Sequence, residues 1–500
     1  MIVDTGRSAR DADYARPDRN AAKGRNAAGG VRVVLIRRRL SVAAALTCAI
    51  GLAAAGCTGD DRDGFRPGAA DVGDPYVPGH GNGGYDVGHY GLDVRYDPST
   101  DRLTGRAVIT ATATQDLSRF NLDLVGLEVR AVSVGDAAAE HRRGDGELVV
   151  TPSDGLPRGR QFTVTVEYAG VPTAVDDGAL GSGGFLHTAD GAVALGQPES
   201  AATWFPVNDH PSDKATYDLA VTVPDGLAAL SNGVPGPKSS ADGWTTWRWS
   251  ERAPMASYLS TLVIGDYRVV TGTHAGRPMV TAVAASLPAT GGAATSLART
   301  GAIVDFLASR FGPYPFDSYG GIVIADDRIG YALETQSRPV YGPGFFADDR
   351  PNPSVVAHEL AHQWFGDSVS LTRWSDMWLN EGFASYAEWL WEEHDGGRTA
   401  QRNFEIQYAA TDWTQPSVEP GREQMFGTAV YKRGALAVHA LRRTVGDDLF
   451  FRILRTWTSE RAAGNATTAD LVALAERVAG RQLRPLFDAW LVGGSAPTLP

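Results

Sequence analysis

The chain divides by periodicity into two halves, which predicts a multidomain fold: a β domain followed by an α+β domain. Between about Tyr85 and Tyr267 the apolar residues mostly alternate, and Gly, Pro and Asp turns separate the runs. After about Thr271 the spacing turns helical, and a His-Glu-x-x-His pentapeptide falls within that part.

In the first half, 106–114, 161–168, 217–223 and 258–264 are alternating or β-branched and read as strands of an antiparallel domain. Trp244, Trp247 and Trp249 share one strand, as sheet core or as a binding platform. In the second half a helix is expected over 296–311, ending at Gly312-Pro313, with strands at 321–325 and 332–341. Beyond Asn352 the reading is helical over 353–365, 379–394, 433–445, 469–478 and 483–491. The domains are therefore drawn as 76–271 (β) and 272–500 (α+β).

Composition narrows the class. With 43% hydrophobic and 21% charged residues over 500, the chain can bury large cores, and disorder throughout is excluded. Two cysteines make no disulfide scaffold. The net charge of −12 splits into +6 over residues 1–56 and −18 over the rest. A body that acidic repels phosphate backbones, so nucleic acid is not an expected partner.

The N-terminus reads as an address. Arg37, Arg38 and Arg39 precede an uncharged stretch, 40–56, that ends in Ala54-Ala55-Gly56-Cys57. This resembles a bacterial lipoprotein signal, which implies lipidation of Cys57 and an exported, outward-facing membrane lipoprotein. Ordinary cleavage with secretion and a short membrane anchor are the alternatives. Residues 58–75, rich in Gly, Asp and Pro, read as a flexible tether.

The chemistry is carried by His358-Glu359-Leu-Ala-His362. At about 100° per residue the two histidines share a helix face and can both face one Zn²⁺, while Glu359 can reach a water beside it. Asn352 as N-cap and Pro353 at the first helical position start that helix one turn earlier. A catalytic zinc needs a third protein ligand. Glu381, nineteen residues after His362, leaves enough chain for a second helix to return alongside. Asp376 is either a second-shell acceptor for a histidine N–H or a helix cap.

These residues resemble a gluzincin metallopeptidase, and Trp378-Leu-Asn-Glu-Gly-Phe-Ala resembles the aminopeptidase N family within that clan. Tyr331-Ala-Leu-Glu334-Thr stands where that family has its exopeptidase motif, although Tyr331, Leu333 and Thr335 depart from it. Val430-Tyr431-Lys-Arg-Gly434 and Gln197-Pro-Glu199 match two further segments. The resemblance implies a saddle-like β domain, a thermolysin-like catalytic domain and no C-terminal helical domain. It implies one Zn²⁺ held by His358, His362 and Glu381, Glu359 as general base and Tyr431 as oxyanion donor. Glu334 and Glu199 would bind a peptide's terminal ammonium. The implied activity is removal of N-terminal residues from peptides. An endopeptidase on the same scaffold and an inactive peptide-binding lipoprotein are the alternatives.

Overall fold

The computed structural model describes residues 2–3 and 64–500, apart from 145, 179 and 180. The address segment and Cys57 lie outside the described residues. Among the described residues no helix is long and apolar enough to cross a membrane.

The first half is built on a nine-stranded sheet. Its centre runs Trp244–Ala256, Lys214–Pro224, Tyr85–Asp97, Arg102–Ala113 and Gln161–Gly170. The pairing is antiparallel except between Lys214–Pro224 and Tyr85–Asp97, which run parallel with Thr216 opposite His89. Strict alternation in Arg102–Ala113 puts Leu103, Ala107, Ile109, Ala111 and Ala113 in the core. A five-stranded sheet packs nearby, with Ala192–Leu195 and Thr261–Gly265 paired at its centre and buried along their whole length. Of the three tryptophans expected in one strand, Trp249 is core. Trp244 and Trp247 instead lie under Arg95 and Lys238, 3.5 and 4.5 Å from the ring centroids.

Two boundaries move. The strand Tyr267–His274 pairs with Arg277–Ala284 and joins the sheet that continues through Tyr319–Val323, Val340–Tyr341 and Tyr331–Leu333. The expected break at 271 therefore falls inside a strand of the second half, because Tyr267–His274 is a hairpin arm that cannot be divided from its partner. The tether expected over 58–75 also ends earlier within its described part. Arg66–Pro67 pairs with Leu117–Asp123, and Asp74, only 4% exposed, accepts from Trp374 N at 2.9 Å and pairs with His210 at 3.3 Å. A buried carboxylate needs such partners, and finding them in both halves locks this segment down.

The second half is mostly helical after Pro353, with two helices, Ala400–Ala410 and Asp447–Glu460, beyond those expected from spacing. The expected strand 332–341 is a short antiparallel pair, Tyr331–Leu333 with Val340–Tyr341, around a turn. The two halves are pinned together by Lys214, whose buried ammonium donates to the carbonyls of Asp367 and Ser368 at 2.8 and 2.9 Å. Burial pulls that ammonium down to about 7.

Candidate metal centre and active site

The motif helix, Pro353–Ala361, starts where Asn352 Oδ1 accepts from Val355 N at 3.3 Å and Pro353 occupies a position that needs no donor. Its outer face is not solvent: His358, Glu359 and His362 have no exposed surface. The second helix, Trp378–His394, lies against it, with Phe365 and Phe383 stacked at 4.6 Å. Glu381 sits in its first turn.

The donor atoms converge. His358 Nε2 and His362 Nε2 lie 3.2 and 3.4 Å from the same Glu381 oxygen, and the three groups offer ligand atoms all within 4.8 Å of one another. Each histidine's other nitrogen has an acceptor: His358 Nδ1 donates to Glu388 Oε1 at 2.6 Å and His362 Nδ1 to the Phe365 carbonyl at 3.0 Å. That fixes Nδ1 as a protonated nitrogen and turns both Nε2 atoms toward Glu381, where a metal would take the place of a proton. Two imidazoles and one carboxylate are a donor set for Zn²⁺ with a position left for water. Burial opposes charge on His358, yet its hydrogen bonds to Glu381 and Glu388 push it up to about 9. The lining is negative enough to favour a cation. The residues fit zinc.

Glu359 and Glu334 form a second cluster with His362, again within 4.8 Å. Burial raises the Glu359 carboxyl, and neither of its oxygens has a hydrogen-bond partner. Tyr431 reaches the site because two helices touch at glycines. A Cβ on Gly382 would stand 2.9 Å from Gly434 Cα, and one on Gly434 would stand 2.8 Å from Gly382 Cα. This contact brings Tyr431 over His358, with rings stacked at 6.2 Å and 20°. Its buried hydroxyl is turned toward the Glu381 carboxylate. Burial, then the field of Glu381, Glu334 and Glu359, holds the phenol well above its usual range, so it stays a donor.

Of the two readings of Asp376, the structure favours the one at a helix start. Asp376 contacts neither histidine: its Oδ1 accepts from Thr468 N at 3.3 Å and from the Thr468 hydroxyl, bracing the start of the helix Thr468–Ala479. The acceptor beside His358 is Glu388, seven residues after Glu381 and so on the same helix face, a spacing that could have been read. Asp376→Ala is expected to cost about 1 kcal/mol of stability, as other lost helix caps do. Denaturant melting with a metal assay checks this: zinc content should stay at one per chain.

The expected ammonium role of Glu199 stays a proposal. Its carboxylate is ion-paired with Arg422 at 3.3 Å, and Gln197 in the same segment is what reaches Glu334, donating to Oε1 at 3.1 Å. Gln363, directly after His362, donates to the Glu334 carbonyl at 3.1 Å. Gln197 lies in a segment that the sequence resemblance already marked, whereas Gln363 was signalled only by its place directly after His362.

Comparison with known proteins agrees with this arrangement. The family model "Peptidase M1 N-terminal domain" matches residues 87–259 and "Peptidase family M1 domain" matches 296–490. Aminopeptidase M1-C of Oryza sativa subsp. japonica is 28% identical over 61% of this chain and 37% of its own length. Aminopeptidase N of Streptomyces lividans is 26% identical over 57% of this chain and 36% of its own length. The chain thus spans well under half the length of these two curated relatives. The M1 zinc metallopeptidase from Deinococcus radiodurans, solved as a crystal structure, superposes with a TM-score of 0.79 at 32% identity, covering 86% of this chain and 98% of its own. With both halves matched and a solved relative covered almost end to end, the chain belongs to peptidase family M1, the M1 zinc metallopeptidases.

Proposed function

We propose that this protein is a zinc aminopeptidase that releases the N-terminal residue of peptides. The observation that carries the reading is the buried Glu334 carboxylate, within 4.8 Å of Glu359 and His362. A fixed anion that close to the hydrolytic centre suits a terminal ammonium, and it sets the cut at the first peptide bond. The sheet edge beside it supports a peptide ligand. Ile2–Val3 pairs antiparallel with Tyr331 and Ala332, so that edge takes an extended backbone. A mutant of the Deinococcus radiodurans relative has been solved bound to a Tyr-Ser-Ala substrate.

Zinc bound by His358, His362 and Glu381 would supply Lewis acidity for water and the scissile carbonyl. Glu359 accepts the proton of the attacking water and delivers it to the departing nitrogen. Tyr431 donates its hydroxyl to the oxygen on which negative charge grows. Glu388 and the Phe365 carbonyl hold the two imidazoles in the required tautomer. Gln197 and Gln363 hold Glu334 from both sides. Glu199, ion-paired with Arg422 at 3.3 Å, is the second carboxylate proposed for the ammonium.

Aminoacyl amides with a free amine should be hydrolysed at least about a hundredfold better than their N-acetylated forms, since acetylation removes the ammonium that would pair with the Glu334 carboxylate. Equal turnover of both forms would overturn the exopeptidase reading in favour of an endopeptidase. We further propose export with a lipid anchor on Cys57, supported by the basic, apolar and small-residue order of 37–57. Mass spectrometry of the membrane-extracted protein would show a diacylglyceryl-modified Cys57 at its N-terminus. A soluble species cleaved among Ala53, Ala54 and Ala55 would refute the anchor.

A further inference from the structure

The turn that carries Glu334 is held by a group the hydrolytic mechanism does not use. Arg338 has no exposed surface. Its guanidinium donates to the carbonyls of Ser231, Gly233 (3.0 Å) and Val280 (3.4 Å), and lies 4.6 Å from the Trp249 ring centroid. Ser231, Gly233 and Trp249 belong to the β half, and Val280 to the catalytic sheet. A buried cation is costly unless such acceptors surround it, so this one is tied to a single geometry. Burial draws the guanidinium down to about 10, which leaves it charged at neutral pH.

The rest of the turn follows the same plan. Thr335 Oγ1 donates to the Arg338 carbonyl at 2.7 Å, and Arg338 N donates to the Thr335 carbonyl at 3.0 Å, closing the loop on itself. Ser337 takes a left-handed φ of 65°. There its Oγ accepts from Gly233 N at 2.7 Å and its own N–H donates to Gln363 Oε1, also at 2.7 Å. Asn232 donates to the Gln336 carbonyl at 2.8 Å. Residues 231–233 of the β half are thus the socket, and 335–338 the plug. Gln363 links the plug to the motif helix.

We infer that Arg338 is a positioning residue for amine recognition: by seating the 335–338 plug in the β half, it sets where the Glu334 carboxylate stands relative to Glu359. The inference rests on the exopeptidase reading above. It makes the docking of the β half, and not only the zinc helix, a determinant of free-amine selectivity. The side chain touches neither substrate nor reacting atoms, so it acts only through Glu334.

The test measures kcat and KM for matched free-amine and N-acetylated aminoacyl amides on the full chain and on R338K, R338M and S337G. The readout is the ratio of the two kcat/KM values, with zinc content and Tm measured alongside. R338M should lower that ratio about ten- to a hundredfold, mainly through a higher KM for the free amine, as expected when charge-assisted hydrogen bonds that place a binding group are lost. R338K should recover part of it. S337G suits the backbone angle and removes only the hydroxyl, with its contacts to Gly233 and Glu251, so it remains informative if R338M does not fold, and it should lower the ratio severalfold. A purely structural role would lower both substrates in parallel. Parallel loss, or ratios equal to that of the unaltered enzyme in the folded variants, overturns the inference. The ratio on the unaltered enzyme tests the exopeptidase reading separately, so the two failures are distinguishable.

Discussion

Glu359→Gln is expected to lower kcat by about 10²- to 10⁴-fold while leaving KM close to its starting value. Glutamine keeps the shape and fills the same buried position, so the helix and the metal ligands on either side should be undisturbed. What it loses is the ability to take a proton. Burial raises the Glu359 carboxyl and leaves both its oxygens without partners. Such a group is suited to pick up a proton and release it within one turnover. Steady-state kinetics with zinc quantified on the same sample is the check. A variant that retains zinc and stays within tenfold of the parent would mean that another group is the base.

Chelation should abolish turnover and also lower the melting temperature, and stoichiometric zinc should restore both. The ligand constellation explains the second effect. Three donor groups without exposed surface meet at one point, and a ligand bound only by the native state stabilises it by about 4 kcal/mol at a thousandfold excess over Kd. Its removal also leaves Glu381, Glu359 and Glu334 together with no divalent cation to balance them. A calorimetric scan of the stripped protein that superposes on that of the zinc-loaded one would show that these residues do not bind the metal tightly.

Much of the centre was legible because helical spacing is a local property. His358 and His362 four residues apart share a face whatever the rest of the chain does, and Asn352-Pro353 marks where their helix starts. The strand alternation of the first half is local in the same sense: 161–168 and 217–223 lie within strands, as does 106–114 up to Ala113. Asp376 and Glu199 show where that reasoning stops. Asp376 was placed at the site, or at a helix start, because it lies close to Glu381, and Glu199 only on the resemblance carried by Gln197-Pro-Glu199. Each found a nearer partner on another segment: Thr468 for Asp376 and Arg422 for Glu199. The boundary at 271 moved because only pairing shows which sheet a strand joins.

The amino-acid sequence by itself determined the β-then-α+β order, the two histidines and carboxylate of the metal centre, and the base beside them. Only the tertiary structure decided that Gln197 reaches Glu334 across the chain, that Gly382 and Gly434 touch so that Tyr431 lies over His358, and that Arg338 seats the Glu334 turn in the β half. Periodicity encodes which face of one element points where. Contacts between segments separated by about fifty to more than a hundred residues depend on how whole sheets and helices stack, and no single segment carries a record of that.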